Sequence, residues 1–503
     1  MIAVGLARVP ATYEALRSPY SPSEVYPELR NLLGGTDLDG SESDDPETSA
    51  TPNAVYAGFR DALVLAGLDS TRFGSPDWNP LGDLVDQGGR VVLKPNFIRH
   101  WNPNDGGTVE SVITHGSIVR AALDYAWLAV GPNGRVQIAE APQMDCDFEQ
   151  IRSIVGLDEL DRFYRNDLER PVEIIDLRKE AVVFENGIIV ERQPLPGDPA
   201  GYRVVDLGRQ SFFEDSGLDP SRFRGADYDP GPTSEHHRDG KNEYLLSETV
   251  LSADLVINLP KIKTHKKTGV TLAIKNLVGI NGDKNWLPHH SLGGVDQGGD
   301  EFPGNGWLDR LRSRATEIAR PLLARGRGLQ LFRFARQLES NTRGETFIRA
   351  GNWHGNQTTW RMCLDLNRCF YYSDAEGLHL NAPAPVKRAL TVLDGVIAGE
   401  NQGPLAPDDR PLGAIIASTD PIAADLAALR LMGFDERRIP KIRAALDDEG
   451  PRISAVRDVG QVRVFGRDEM TGSIRGYSLD EIECDVPFVP HQGWQGQIER
   501  IPR

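Results

Sequence analysis

Along much of the chain, short aliphatic runs stop abruptly in polar, chemically capable residues. Val91-Val92-Leu93 runs into Lys94-Pro95-Asn96, and Val136-Gln137-Ile138-Ala139 runs into Glu140-Ala141-Pro142-Gln143-Met144-Asp145-Cys146-Asp147. Leu255-Val256-Ile257-Asn258-Leu259 runs into Pro260-Lys261-Ile262-Lys263-Thr264-His265. Leu390-Thr391-Val392-Leu393 ends at Asp394-Gly395, which reads as a turn, and Ala414-Ile415-Ile416-Ala417 ends at Ser418-Thr419-Asp420-Pro421. Continuous apolar runs of this length fit strands buried on both faces, as in a parallel sheet covered by helices. A first strand is expected over Ile2 to Val9. Helical spacing recurs from Asn53 to Leu68, from Ser117 to Ala129 and from Ile422 to Met432, the last with Asp420 as N-cap and Pro421 opening the helix. The alternation predicts an α/β fold with a largely parallel sheet, or sheets, flanked by helices.

In open α/β sheets ligands sit beyond the carboxyl ends of the strands, where all five polar clusters are expected to lie. They therefore predict one shared site. The chain divides by pattern into an N-terminal α/β region over 1–250, a C-terminal one over 251–440 and a tail over 441–503 packed on the core. An acidic loop near 36–52 suits a solvated surface.

One stretch departs from the background. The protein carries a formal net charge of −17, yet Leu308 to Arg343 holds nine arginines against Asp309, Glu317 and Glu339. Leu308, Leu311, Ala315, Ile318 and Leu322 mark one amphipathic helix, and Leu329, Phe332, Ala335 and Leu338 a second, with Pro321, Gly326 and Gly328 between them. This inserted arginine-rich hairpin (307–343) is either packed on the core, or a lid or docking face for a partner; contact with a membrane surface is a lesser option.

Composition narrows the chemistry. The acidic balance argues against nucleic acid as a partner, and no apolar run reaches the length of a transmembrane helix. The start is too quickly polar for a signal peptide, so cytoplasm is the expected location. Cys146, Cys363, Cys369 and Cys484 form no C-x-x-C pair, so neither a disulfide framework nor an iron–sulfur cluster is expected. No dinucleotide fingerprint is present, which leaves any organic cofactor unknown.

Lys261, Lys263 and His265 alternate, so on an extended segment they point to one side and make an anion site for phosphate or carboxylate. Four of the eleven lysines lie between Lys261 and Lys267, in a chain that otherwise prefers arginine. A short helix from Thr271 to Gly279 would return Lys275 and Asn276 to the same place. Lys94, Asn96 and Thr264 complete the expected substrate contacts. Thr114-His115 could be a helix cap or a ligand-facing pair at a positive helix end. Glu140, Asp147, Asp394 and Asp420, with Asp145 nearby, would hold magnesium or manganese if they converge, although each singly suits a cap or turn. His236-His237 and His289-His290 could supply one ligand per pair at most, and a surface position is the simpler reading.

Taken together, Lys94-Pro95-Asn96, Thr114-His115, Glu140-Ala141-Pro142, Lys261-Ile262-Lys263-Thr264-His265, Lys275-Asn276-Leu277 to Gly279, Asp394-Gly395 and Thr419-Asp420-Pro421 resemble the ordered landmarks of the domain of unknown function 362 family, over about residues 90–435. The resemblance implies no assigned activity. Some relatives append a ferredoxin-like module, whose cysteines this chain lacks. Long relatives accompany genes for cell-surface polysaccharides, which implies a sugar phosphate or nucleotide sugar as a fitting ligand. The expected function is an enzyme acting on an anionic small molecule, with Lys261, Lys263, Lys94 and Lys275 on the anion and His265 or His115 as acid/base. Hydrolysis, transfer and isomerisation stay open. The alternative is a non-catalytic metabolite-binding or assembly protein using the same pocket.

Overall fold

A computed structural model describes residues 1–34, 53–185, 188–304, 306–324, 348–468 and 470–501. Eleven strands form one sheet: β1 (Ile2–Arg8), β2 (Arg90–Pro95), β3 (Arg135–Glu140), β4 (Glu173–Asp176), β5 (Leu255–Leu259), β6 (Lys261–His265), β7 (Gly269–Val270), β8 (Arg388–Glu400), β9 (Asp408–Ser418), β10 (Val462–Arg467) and β11 (Ile474–Ser478). Their order is β11-β10-β1-β9-β8-β5-β2-β3-β4, with β6 and β7 branching from β8. Pairing is parallel from β8 through β4 and antiparallel around β9. The fold is thus α/β, a large mixed and mostly parallel sheet. Strands from all three stretches of the chain interleave in it.

The period-two alternation of a strand explains its burial on both faces. Val92 and Val256 enter the core beneath the helices Thr359–Tyr372 and Pro421–Met432. Val91, Leu93, Leu255 and Ile257 enter a second core beneath Ala54–Leu65 and Gly116–Val130. Polar groups cap these helices, Asn53 accepting from the Tyr56 amide and the His115 ring from the Ser117 amide.

Three local expectations are corrected. Asp394-Gly395 is not a turn: β8 continues through it, with a shift in its register against β9 between Gly395 and Ile397, because Lys261 neutralises Asp394 and Gly395 leaves room for Ile262, whose Cδ1 would lie 2.6 Å from an added Cβ. β9 runs antiparallel to β8, with Ser418 opposite Thr391, so the end of β9 and Asp420 lie away from the carboxyl ends of β2, β3 and β5. The helix Trp307–Ala324 continues through Pro321 and shows its apolar stripe to solvent, with Leu308, Leu311 and Ile318 42%, 53% and 74% exposed. Its polar side faces the protein: Ser313 donates to Glu301 at 2.7 Å, and Glu317 pairs with Arg224 at 2.5 Å. The acidic loop and the second arginine-rich helix lie outside the described residues.

Candidate functional site

At the carboxyl ends of β2, β3 and β5, a buried amide chain links the elements. Asn276 donates to Asn258 at 2.7 Å and accepts from Asn96 at 2.7 Å. The Asn96 carbonyl oxygen accepts from Lys263 at 2.8 Å, and Lys263 also donates to the Val112 carbonyl. Lys94 donates to the Pro95 carbonyl at 2.7 Å, to Glu140 at 2.5 Å and to Asn276 at 3.3 Å, which uses all three of its hydrogens. The residues Lys94, Asn96, Glu140, Lys275 and Asn276 line one cleft of about 70 Å³, joined by Lys284, His289 and Gln143.

The helix Leu272–Asn276 that presents Lys275 and Asn276 is held from outside. Leu272 has a φ of +51°, a conformation costly for a branched side chain. Asp425 accepts from the amides of Ala273 at 2.7 Å and Ile274 at 3.3 Å, and Lys441 donates to the carbonyls of Val270 at 2.7 Å and Thr271 at 2.6 Å. Two buried charges on neighbouring helices thus fix the strained entry.

A second buried cluster adjoins the first. Lys261 pairs with Asp394 at 2.9 Å, and Asp394 also accepts from the His115 amide at 3.0 Å and from the Tyr13 hydroxyl. Tyr13 stacks on the His115 ring at 3.8 Å between centroids. Burial takes the His115 pKa down to about 3, against the pull of Asp394. Its Nδ1 accepts the Ser117 amide, so the neutral ring carries its proton on Nε2. The same holds for His265, whose Nδ1 accepts from the Lys267 amide at 3.0 Å. Burial, with Lys275, Lys441, Lys266 and Lys263 around it, holds the His265 ring far below the usual imidazole range. Both rings therefore present an N–H rather than a lone pair.

Electrostatics set this region apart. Burial pulls Lys94, Lys261, Lys263 and Lys275 below the ordinary lysine value, Lys263 most strongly, with Lys261 and Lys275 adding to it. Burial brings Lys267 and Lys284 down to about 7, and neighbouring lysines push the same way. Glu140 is the one carboxylate lining the cleft among the described residues, and Lys94 already engages it.

Other expected site residues stand elsewhere. Thr264 gives its hydroxyl to the Asn401 carbonyl at 3.1 Å. Asp147 caps the helix Phe148–Val155 and Asp420 caps Pro421–Met432, the latter also accepting from Ser454 and Ala455. Asp145 pairs with Arg99 at 2.5 Å. The four proposed metal carboxylates are thus dispersed, and among the described residues no three His, Cys, Asp or Glu side chains gather as a metal-binding group. The four cysteines are free thiols.

Lys284 and Tyr13 are not singled out by the sequence, and His289, expected at the surface, lines the cleft instead. The scarcity of lysine was a usable signal for Lys284, since most of the eleven lysines collect here. His289 donates from Nδ1 to the Leu287 carbonyl at 2.8 Å, leaving Nε2 with its lone pair. Burial, with Lys267 beside it, brings its pKa to about 3.

The fold and site define a mixed α/β protein with a lysine-rich cleft at its parallel strand ends. A family model described as a domain of unknown function (DUF362) matches residues 172–430, just over half of the chain, and the protein belongs to that family. The matched part carries Lys261 through Asp420, while Lys94, Asn96 and Glu140 lie ahead of it and reach the cleft through β2 and β3. A thylakoid-associated protein of Synechocystis sp. is 24% identical over 222 residues, 44% of this chain and 44% of its own length. The chain therefore spans under half of that relative. No helix among the described residues is long and apolar enough to cross a membrane.

Proposed function

We propose that the cleft binds a small anionic molecule, phosphorylated or carboxylated, and acts on it as an enzyme site. The excess of positive charge carries this reading: the buried Lys94 and the part-buried Lys275 and Lys284 line the cleft against Glu140 alone, with Lys263 and Lys267 close behind. Desolvating an ion costs several kcal/mol unless a partner compensates, so an anion entering here supplies the missing charge. Asn96, held in place by Asn276, and the spare N–H of Lys284 would orient it. The Nε2–H of His265 suits a donor to developing negative charge, and His289 offers the acceptor. Magnesium or manganese enters as a companion of a bound phosphate, since Glu140 is already paired with Lys94. Sugar phosphates and nucleotide sugars belong among the ligands to test.

A second reading is a binding or assembly protein, favoured by the exposed stripe of Leu308, Leu311 and Ile318 beside arginines. The thylakoid association in the relative's name would suit such a docking role.

Thermal unfolding against phosphates, nucleotide sugars and small acids, with and without magnesium or manganese, tests the first reading. A ligand at 100 times its dissociation constant adds about 2.7 kcal/mol. The expected result is stabilisation of the wild type that disappears in Lys275→Met. No shift with any anion would contradict the reading.

A further inference from the structure

We propose that Lys275 is an amine nucleophile that condenses with the carbonyl carbon of a small oxo acid to form an imine in the cleft. The proposal rests on the anion-binding reading, because the acid's carboxylate would be held by the neighbouring ammonium groups. Of the three lysines lining the cleft, Lys94 spends every hydrogen on the protein, and Lys284 donates to the carbonyls of Ala141 at 2.8 Å and Val278 at 3.3 Å. Lys275 makes no hydrogen bond or ion pair among the described residues, so its amine is free to turn toward a ligand. Its surroundings also favour the neutral amine, since burial lowers its pKa against the opposing influence of Cys363 and Glu140. A desolvated lysine beside other cations is the arrangement that makes an amine nucleophilic near neutrality. The size of the cleft, about 70 Å³, suits a short oxo acid and not a nucleotide sugar buried whole.

The step balances without oxidant or reductant. The Nζ lone pair forms the C–N bond while the carbonyl π pair moves to oxygen. The two amine hydrogens pass to that oxygen, which leaves as water, and the C=N bond remains. The Nε2 lone pair of His289 can accept an N–H or O–H during these transfers, and the unused N–H of Lys284 can donate to the carbonyl oxygen. Protonation of the imine nitrogen by solvent gives the iminium that borohydride reduces, and its positive charge lies in reach of Glu140, which already attracts the Lys275 ammonium.

The full chain is incubated with pyruvate, reduced with borohydride and mapped by peptide mass spectrometry. The expected result is one reduced pyruvate residue on Lys275, in large excess over the half-exposed Lys179 and Lys241, and suppressed by added inorganic phosphate. The adduct should be lost in Lys275→Arg, with thermal unfolding confirming that this variant folds. Labelling spread over exposed lysines, or undiminished in Lys275→Arg, would overturn the proposal. The wild-type peptide map decides the matter even where the variant is unstable. If phosphate raises the melting temperature and no pyruvate is trapped on Lys275, the anion reading stands and the imine fails. If neither occurs, both fail.

Discussion

The Lys94 ammonium and the Glu140 carboxylate meet at 2.5 Å against the backbone of Gly279, where an added Cβ would stand 1.9 Å from Glu140 Oε1 and 2.6 Å from Lys94 Nζ. The glycine is needed for this close approach and not for a turn. Gly279→Ala is therefore expected to push the pair apart and to cost about 1–3 kcal/mol, the usual penalty for overpacking. Chemical denaturation measures that loss, and anion binding should weaken with it. An unchanged midpoint together with unchanged binding would contradict this role for the pair.

Asp394 serves Lys261, Tyr13 and the His115 amide, all in the interior. Removing its charge strands Lys261 without a counterion. Asp394→Asn is expected to destabilise the fold by about 3–5 kcal/mol, in the range for breaking a buried pair. The loss should be the same with chelator or with added magnesium, whereas a metal-ligand role for Asp394 would make it metal-dependent.

Asp425 supports the strained Leu272 entry from a neighbouring helix. Asp425→Ala leaves two buried amides unpaired and is expected to cost roughly 1–3 kcal/mol. Because the same helix presents Lys275 and Asn276, ligand affinity should fall more than it does for a surface substitution of equal stability cost. Equal effects on affinity would argue that this helix does not shape the site.

The depressed lysines and histidines predict the direction of pH dependence. Lys267 and Lys284 titrate near 7 in the folded protein, against about 10.4 when unfolded. Between those values the unfolded chain binds more protons, so stability rises with pH from about 7 to about 10. His115 and His289 sit near 3 against about 6.5 unfolded, so stability falls as pH drops through that lower window. Urea unfolding from pH 4 to pH 10 should show both limbs, and saturating phosphate should flatten the upper one. A ligand-free curve flat above pH 7 would contradict the uncompensated lysines.

Much of this was legible in the sequence because it follows from local rules. Leu255–Leu259, Val91 to Leu93 and the capped helix after Asp420 were all foreseen from apolar runs and capping chemistry. The gathering of Lys94, Asn96, Lys275 and Asn276 followed from placing polar residues at parallel strand ends. What failed depended on direction and distance. Nothing local to Ala414–Ala417 tells that β9 runs antiparallel, which carries Asp420 away from the site. Asp394-Gly395 has the composition of a turn, and only the arrival of Lys261 and Ile262 makes it strand. Tyr13 reaches its partner Asp394 across most of the chain, and His289 gains its role from the Leu287 carbonyl that fixes its tautomer. The apolar stripe of Trp307–Ala324 predicted a helix correctly but not the face it turns to the protein.

The central claim is that a cluster of lysines holding more positive charge than its carboxylates offset forms an anion site, and proton-linked binding tests it most directly. At pH 8 Lys267 and Lys284, titrating near 7, are largely neutral, and an anion bound beside them raises their pKa. Calorimetric titration with inorganic phosphate in two buffers of different ionisation heat should therefore show net proton uptake at pH 8, reduced in Lys284→Met. Phosphate binding without proton uptake, or no binding, would contradict the account.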